Sequence, residues 1–316
     1  MKKMILVMGL LAGFSSCSQS DQDEILTTDA RANTSTIEVT DLPIGVKYAE
    51  SQTGIAGSYN RLKQSLQKNE AISIVAEVDH SANAKSIGEE LDYTSIIFFG
   101  NPVLGTPLMQ RNQLAGLDLP QKVLFFKDAE KNELALYNSV EYLSSRHGLE
   151  GVSTLPKISG ALENLVSAAT KSEVEVSPVQ PVDEGEGVVT KTSNQNFEDT
   201  YSDLKVFLQN NPDIKIVAEL DHQANAASVG LDLRSTKIII FGNPNLGTPL
   251  MQKDQSIGLD LPQKMLVWED ADGKVSISYN DPFFIAERHG ITNSDDVLNK
   301  IKTALETIAE NAATSD

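Results

Sequence analysis

Residues 96–110 read Ile96-Ile97-Phe98-Phe99-Gly100-Asn101-Pro102-Val103-Leu104-Gly105-Thr106-Pro107-Leu108-Met109-Gln110. Residues 238–252 read Ile238-Ile239-Ile240-Phe241-Gly242-Asn243-Pro244-Asn245-Leu246-Gly247-Thr248-Pro249-Leu250-Met251-Gln252. The apolar run predicts a buried strand, and Gly-Asn-Pro ends it because these residues suit a turn. Thr106 is then placed to cap a short helix with Pro107 in its first turn. A shift of 142 residues aligns Gly45–Gly148 with Gly187–Gly290 without a gap. The chain therefore carries one module twice, and identity between the copies is concentrated after residue 75.

The rest of the module follows from period and punctuation. A short strand is expected over Gly45–Glu50. Ile55, Tyr59, Leu62 and Leu66 then recur at helical spacing, as do Phe197, Tyr201, Leu204 and Leu208. Ile72–Val78 and Ile214–Leu220 alternate as strands. Ser81–Ile87 reads as a short helix stopped by Gly88. Leu119–Phe126 and Glu133–Tyr137 read as a hairpin, followed by a short helix over Val140–His147 that ends at Gly148. A last helix carries Leu155, Ile158, Leu162, Leu165 and Ala169 on one face, matched by Leu298, Ile301, Leu305 and Ile308. The expected fold class is α+β, with a mainly antiparallel sheet and helices on one face in each of two tandem copies. The copies span 44–170 and 188–316. Between them, 171–187 holds Pro178, Pro181 and several acids, which predicts a solvated linker.

The N-terminal 17 residues read as an address. Lys2 and Lys3 precede an apolar run from Met4 to Phe14 that is too short for a permanent membrane span. Phe14-Ser15-Ser16-Cys17 resembles a lipobox, in which Cys17 becomes the lipidated first residue of the mature chain. Such looser boxes are similar to those of Bacteroidota lipoproteins. Residues 18–43 read as a polar, acidic tether. The expectation is a bacterial cell-envelope protein, an outer-membrane lipoprotein facing the periplasm or the cell surface, whose membrane partner is reached through the anchor at Cys17.

Composition excludes several classes. The 316 residues are 40% hydrophobic with a net charge of -18, so cores are affordable, but clustered basic residues for nucleic acid are not expected. One Cys forms no internal disulfide or Cys-based zinc site. Gly100–Pro107 lacks the Lys and spacing of a phosphate-binding loop. No cofactor and no metal site is called for.

The blocks Asp79-His80-x-Ala82-x-Ala84, Gly100–Gln110, Leu117-Asp118-Leu119-Pro120-x-Lys122, Tyr137-Asn138 and Arg146-His147-Gly148 together resemble the domain-of-unknown-function family 302. The second copy, with Tyr279-Asn280-Asp281-Pro282 and Trp268, is closer than the first, which has Asn138-Ser139-Val140 and Phe126 there. The resemblance implies a small α+β module of the TATA-binding-protein-like class and no established activity.

The candidate ligand-lining residues are the polar ones repeated in both copies: Asp79, His80, Asn101 and Gln110, with Asp221, His222, Asn243 and Gln252. The leading expectation is a binding module whose copies pack on each other and hold a small molecule or a partner. A second is an enzyme, such as a hydrolase, using His80 or His222 with a neighbouring carboxylate. A third is a copper or other metal binder using His with Met109 and Met251. A fourth is a purely structural or interaction protein, in which Asp79 or His80 caps a helix and His147 and His289 face a helix dipole. Asp118 and Lys122, four apart on one strand face, are expected to pair.

Overall fold

The computed structural model describes residues 42–177 and 182–314. The address, Cys17 and the tether up to residue 41 lie outside these residues. In the first copy β1 (Val46–Glu50) is followed by α1 (Ile55–Gln67), β2 (Ser73–Asp79), α2 (His80–Ser86), β3 (Thr94–Gly100) and α3 (Pro102–Arg111). A 3-10 helix at Gln113–Leu117 leads to β4 (Gln121–Lys127), β5 (Glu133–Asn138), α4 (Val140–His147), α5 (Leu155–Thr170) and the two-residue β6 (Glu175–Val176). The second copy repeats the order as β7 (Val188–Thr192), α6 (Phe197–Asn210), β8 (Lys215–Asp221), α7 (His222–Ser228), β9 (Thr236–Gly242) and α8 (Pro244–Met251). It continues with a 3-10 helix at Gln255–Leu259, β10 (Gln263–Glu269), β11 (Val275–Asn280), α9 (Pro282–Arg288) and α10 (Asp295–Ala313).

Each copy is an α+β module on an antiparallel sheet. The strand orders are β2-β3-β4-β5-β1-β6 and β7-β11-β10-β9-β8, so the five shared strands run in the same sequence. Long helices cover one face. Leu62 and Leu66 of α1 and Ile158, Leu162 and Val166 of α5 bury against Ile97, Phe99, Val123, Phe125, Ala135 and Tyr137. These sheet positions alternate along their strands, as a period of two requires.

The opposite face is not open to water. Ile96 and Phe98 are fully buried, and register places Ile96 beside Leu124 and Phe98 beside Lys122. What covers this face is the 3-10 helix of the other copy: Gln255–Leu259 lies against β3 and β4, and Gln113–Leu117 against β9 and β10. Leu117 packs into a small apolar cluster with Ile238 and Leu266 of the second copy. An uninterrupted Ile-Ile-Phe-Phe run is thus needed because both faces of β3 are buried.

Close approach at this junction depends on glycine. A Cβ on Gly116 would lie 2.8 Å from Leu266 Cδ1, and one on Gly258 would lie 3.1 Å from Leu124 Cδ1. Both leucines are fully buried and have little room to move. Gly116→Ala is expected to destabilise the protein by about 1–3 kcal/mol through overpacking, and Gly258→Ala by less. Urea midpoints of the two variants check this order, and equal midpoints to the parent would refute the close approach.

Two local expectations change. The helix after β3 starts at Pro102, not beyond Thr106, because Asn101 is extended and its side chain accepts from the Val103 N–H. Thr106 is instead buried inside α3. The segment 171–187 is partly built into the body: β6 pairs with β1, Ser177 and Val182 are buried, and the Glu186 carbonyl accepts from Arg146. Its acidic side chains reach water while its backbone supplies partners.

Candidate functional site

Two equivalent cavities are assembled around a histidine of the opposite copy. The local cause is a capped turn at the end of β2 and of β8. Asp79 Oδ1 accepts the Ala82 N–H at 2.8 Å, and Asp221 Oδ1 accepts the Ala224 N–H at 2.8 Å. These caps satisfy free N–H groups at the start of α2 and α7. His80 and His222 therefore stand at the first helical position, and each ring is carried away from its own sheet toward the other copy.

The rings are 4% and 5% exposed. His222 closes a cavity of about 210 Å³ in the first copy, between α5, the Gly100–Met109 segment and Leu119–Gln121. His80 closes a cavity of about 170 Å³ at the matching place in the second copy. Asn225 and Asn83 accompany them. Burial lowers both imidazoles to about 4, against an opposing pull from Asp79 or Asp221, so both rings are neutral near pH 7.

Buried polar atoms without hydrogen-bond partners gather here. Among the described residues these atoms are His80 Nε2, His222 Nε2, Gln121 Nε2, Thr248 Oγ1 and Tyr137 OH. His222 and Gln121 line the larger cavity, and His80 and Thr248 the smaller. A buried polar group left unpaired costs about 1–3 kcal/mol, and four of these five atoms belong to residues that line the two matching cavities.

The other candidate residues divide between two tasks. Asn101 and Asn243 line the cavities, and each side-chain oxygen also caps a helix, at 3.0 Å from Val103 N and 2.9 Å from Asn245 N. Asp79 and Asp221 are caps and do not line the cavities. Gln110 and Gln252 reach across the junction instead. Gln110 Nε2 donates to the Asp232 carbonyl at 2.6 Å, and Gln252 Nε2 to Glu89 Oε2 at 3.1 Å and the Glu90 carbonyl at 3.0 Å. Met109 and Met251 are buried in the cavity walls.

Sequence reading missed the centre of the junction, a buried ionic network. Arg146 Nη1 donates to Asp118 Oδ2 at 2.8 Å, and its Nη2 crosses to Asn280 Oδ1 at 2.8 Å. The counterpart Arg288 donates to Asp260 Oδ2 at 2.6 Å and crosses to Asn138 Oδ1 at 2.8 Å. Lys122 lies 3.7 Å from Asp118 in its own copy but 3.1 Å from Asp260 in the other. Gln113 to Thr236 (2.9 Å) and Gln255 to Thr94 (2.8 Å) form another exchanged pair. The signal was present: Asp118, Lys122 and Arg146 recur as Asp260, Lys264 and Arg288 next to apolar strands, but sequence spacing cannot show which copy they face.

Electrostatics make this cluster permanent. Burial opposes ionisation of Asp118 and Asp260, yet the adjacent arginine, lysine and histidine outweigh it and hold both carboxyls well below their usual range. His147 Nε2 and His289 Nε2 donate to Asp118 and Asp260 at 2.8 and 2.9 Å. Burial keeps His289 below its ordinary value, so its Nδ1 accepts from Ser256 Oγ at 2.8 Å. Burial first, then the charge of Lys122, pushes Lys264 well below the usual lysine range. The arginines also stack on aromatics, Arg288 at 3.9 Å from the Tyr142 ring centre and Arg146 at 4.8 Å from that of Phe284.

Comparison with known proteins places the sequence. A Bacillus stearothermophilus protein, described as an uncharacterized conserved protein DUF302, has a crystal structure that matches 40% of this chain and 98% of its own at 16% identity, with a TM-score of 0.37. The fluoride-specific ion channels FluC 1 of Brucella suis biovar 1 and of Brucella abortus biovar 1 are each 40% identical over 128 residues, which is 40% of this chain and 50% and 47% of theirs. The chain thus spans about half the length of the curated relatives it matches. No helix among the described residues is long and apolar enough to cross a membrane. The family described as Domain of unknown function DUF302 matches residues 47–168 and again residues 189–308, and the chain belongs to that family, in tandem.

Proposed function

We propose that this chain is a small-ligand binding protein that works as an intramolecular pseudo-dimer, with one site in each copy closed by the other copy's histidine. The observation that carries the reading is the pairing of His222 Nε2 with Gln121 Nε2, and of His80 Nε2 with Thr248 Oγ1, as unpartnered atoms in matching apolar cavities. Pockets of this kind, apolar with a few convergent polar atoms, are the usual form of a small-molecule site. The exchanged contacts of Arg146 and Arg288 support a rigid junction that holds the histidines in place.

Binding is favoured over catalysis by the acids. The larger cavity has no carboxylate in its lining, and Asp213 at the smaller one is exposed and has Ala71 as its counterpart. The carboxylate beside each histidine, Asp79 or Asp221, caps the following helix and does not line a cavity. Fluoride transport belongs to the names of the Brucella relatives and is not extended to this chain, which covers about half of them.

The anchor at Cys17 is part of the same proposal: the binding body is held to the bacterial envelope by a lipid on that residue. Native mass spectrometry of the full chain, purified from its own envelope, tests both parts. The expected spectrum shows up to two small-molecule adducts lost on activation, and an acyl mass on Cys17. A bare polypeptide mass with neither would refute the reading.

A further inference from the structure

The cavities also restrict what they can hold, and this step rests on their being ligand sites. Their volumes, about 210 and 170 Å³, are near the ~150 Å³ of a protein cavity that encloses benzene. A ligand of roughly 6–12 non-hydrogen atoms fits that space. No Asp, Glu, Lys or Arg lines the larger cavity, and the smaller has only Asp213 and Lys215, of opposite sign and both exposed to water. An ion entering the larger cavity would lose its hydration with nothing of opposite sign to meet. Its wall is instead Phe99, Met109, Leu119, Ile158, Leu162 and Leu165.

Polarity is specified by the unpartnered atoms. Gln121 Nε2 is an amide nitrogen and only donates, so the ligand must offer it an acceptor. His80 Nε2 and His222 Nε2 belong to neutral imidazoles, in which a ring nitrogen donates or accepts according to the tautomer. Thr248 Oγ1 accommodates either role. One group meets both cavities whichever tautomer the ring adopts: a hydroxyl, which donates to or accepts from the histidine and whose oxygen accepts from Gln121 Nε2.

We infer that each cavity takes an uncharged small hydroxy compound, a phenol or an alcohol, with its hydroxyl on the Nε2 of the opposite copy's histidine and its carbon frame in the apolar wall. The geometry orders ligands by one atom. Phenol and toluene have the same shape and differ in the hydroxyl, and benzoate adds charge.

Titration of the full chain with each of the three, followed by calorimetry and by imidazole nitrogen NMR, tests the assignment. Phenol is expected to bind about tenfold tighter than toluene, as one buried hydrogen bond predicts, and benzoate to bind weaker than both. The Nε2 resonances of His80 and His222 should move with phenol and stay in place with toluene. Gln121→Met, which keeps side-chain size at the edge of the larger cavity, should reduce the phenol preference at that site alone. Toluene binding as tightly as phenol overturns the hydroxyl assignment and leaves the cavities as ligand sites. Benzoate binding tightest overturns the uncharged class. No saturable binding by any of the three overturns the inference and the ligand-site reading together.

Discussion

Asp260→Ala is expected to remove about 3–5 kcal/mol of stability, enough to unfold a large fraction of a protein of ordinary stability. The size follows from what the change leaves behind. Arg288 loses its 2.6 Å partner and Lys122 its 3.1 Å partner, and both remain out of water. The pair itself is worth far less, because assembling it required the same charges to be desolvated. A chemical denaturation midpoint reads the loss. Because Lys122 reaches Asp260 from the other copy, the damage should extend to both modules, with a single transition shifted as a whole. A variant in which only the second module melts early would refute the network as the junction of the body.

The second large effect is a loss of stability in mild acid. His80 and His222 have an unfolded value near 6.5 and a folded value of about 4. A base depressed in the fold binds its proton first in the unfolded chain. Stability is therefore complete above pH 6.5 and falls as the pH drops from there toward 4, where the loss levels off. By pH 5 the expected cost is on the order of 2 kcal/mol for each of the two histidines. Asp118 and Asp260 act in a different window. Their carboxyls are depressed, so the stability they supply is present above the ordinary value of 3.8 and disappears only as the pH falls below it. Lys264, also depressed, carries a loss of the same sign that begins as the pH falls below the usual lysine value of 10.5. Urea midpoints at pH 7, 6 and 5 measure the slope, and the double variant His80→Leu/His222→Leu should flatten most of it. An unchanged midpoint between pH 7 and 5 would contradict the burial of both rings as neutral groups.

These expectations differ in how far sequence alone reaches them. The helix stripes of α1 and α5, the β4–β5 hairpin and the stop at Gly148 all follow from local rules, since each depends on neighbours within a few residues. The sequence alone does not separate a helix start at Asn101-Pro102 from one at Thr106, because both sites offer a polar cap followed by Pro, and only backbone geometry chooses between them. His80 and His222 could be singled out as repeated residues. Their free nitrogens and the cavities they enter could not, because the wall belongs to the other copy. Gln121 carries no signal in the sequence, and Thr248 is legible there only as part of the repeated Gly-Thr-Pro block.

Repetition at a spacing of 142 residues, the α+β order of each module and membership of the family are properties of the linear chain, because hydrophobic period and turn chemistry act over short distances. The Ile96–Phe99 and Ile238–Phe241 runs already announced strands buried in a core. Only the tertiary structure shows that the second face of each strand is covered by the other module, with Lys122, Arg146 and Arg288 facing partners about 130–150 residues away. Charge and hydrogen-bond partners that meet across a junction leave no periodicity in the sequence, and this is why the junction and its two cavities had to be seen in three dimensions.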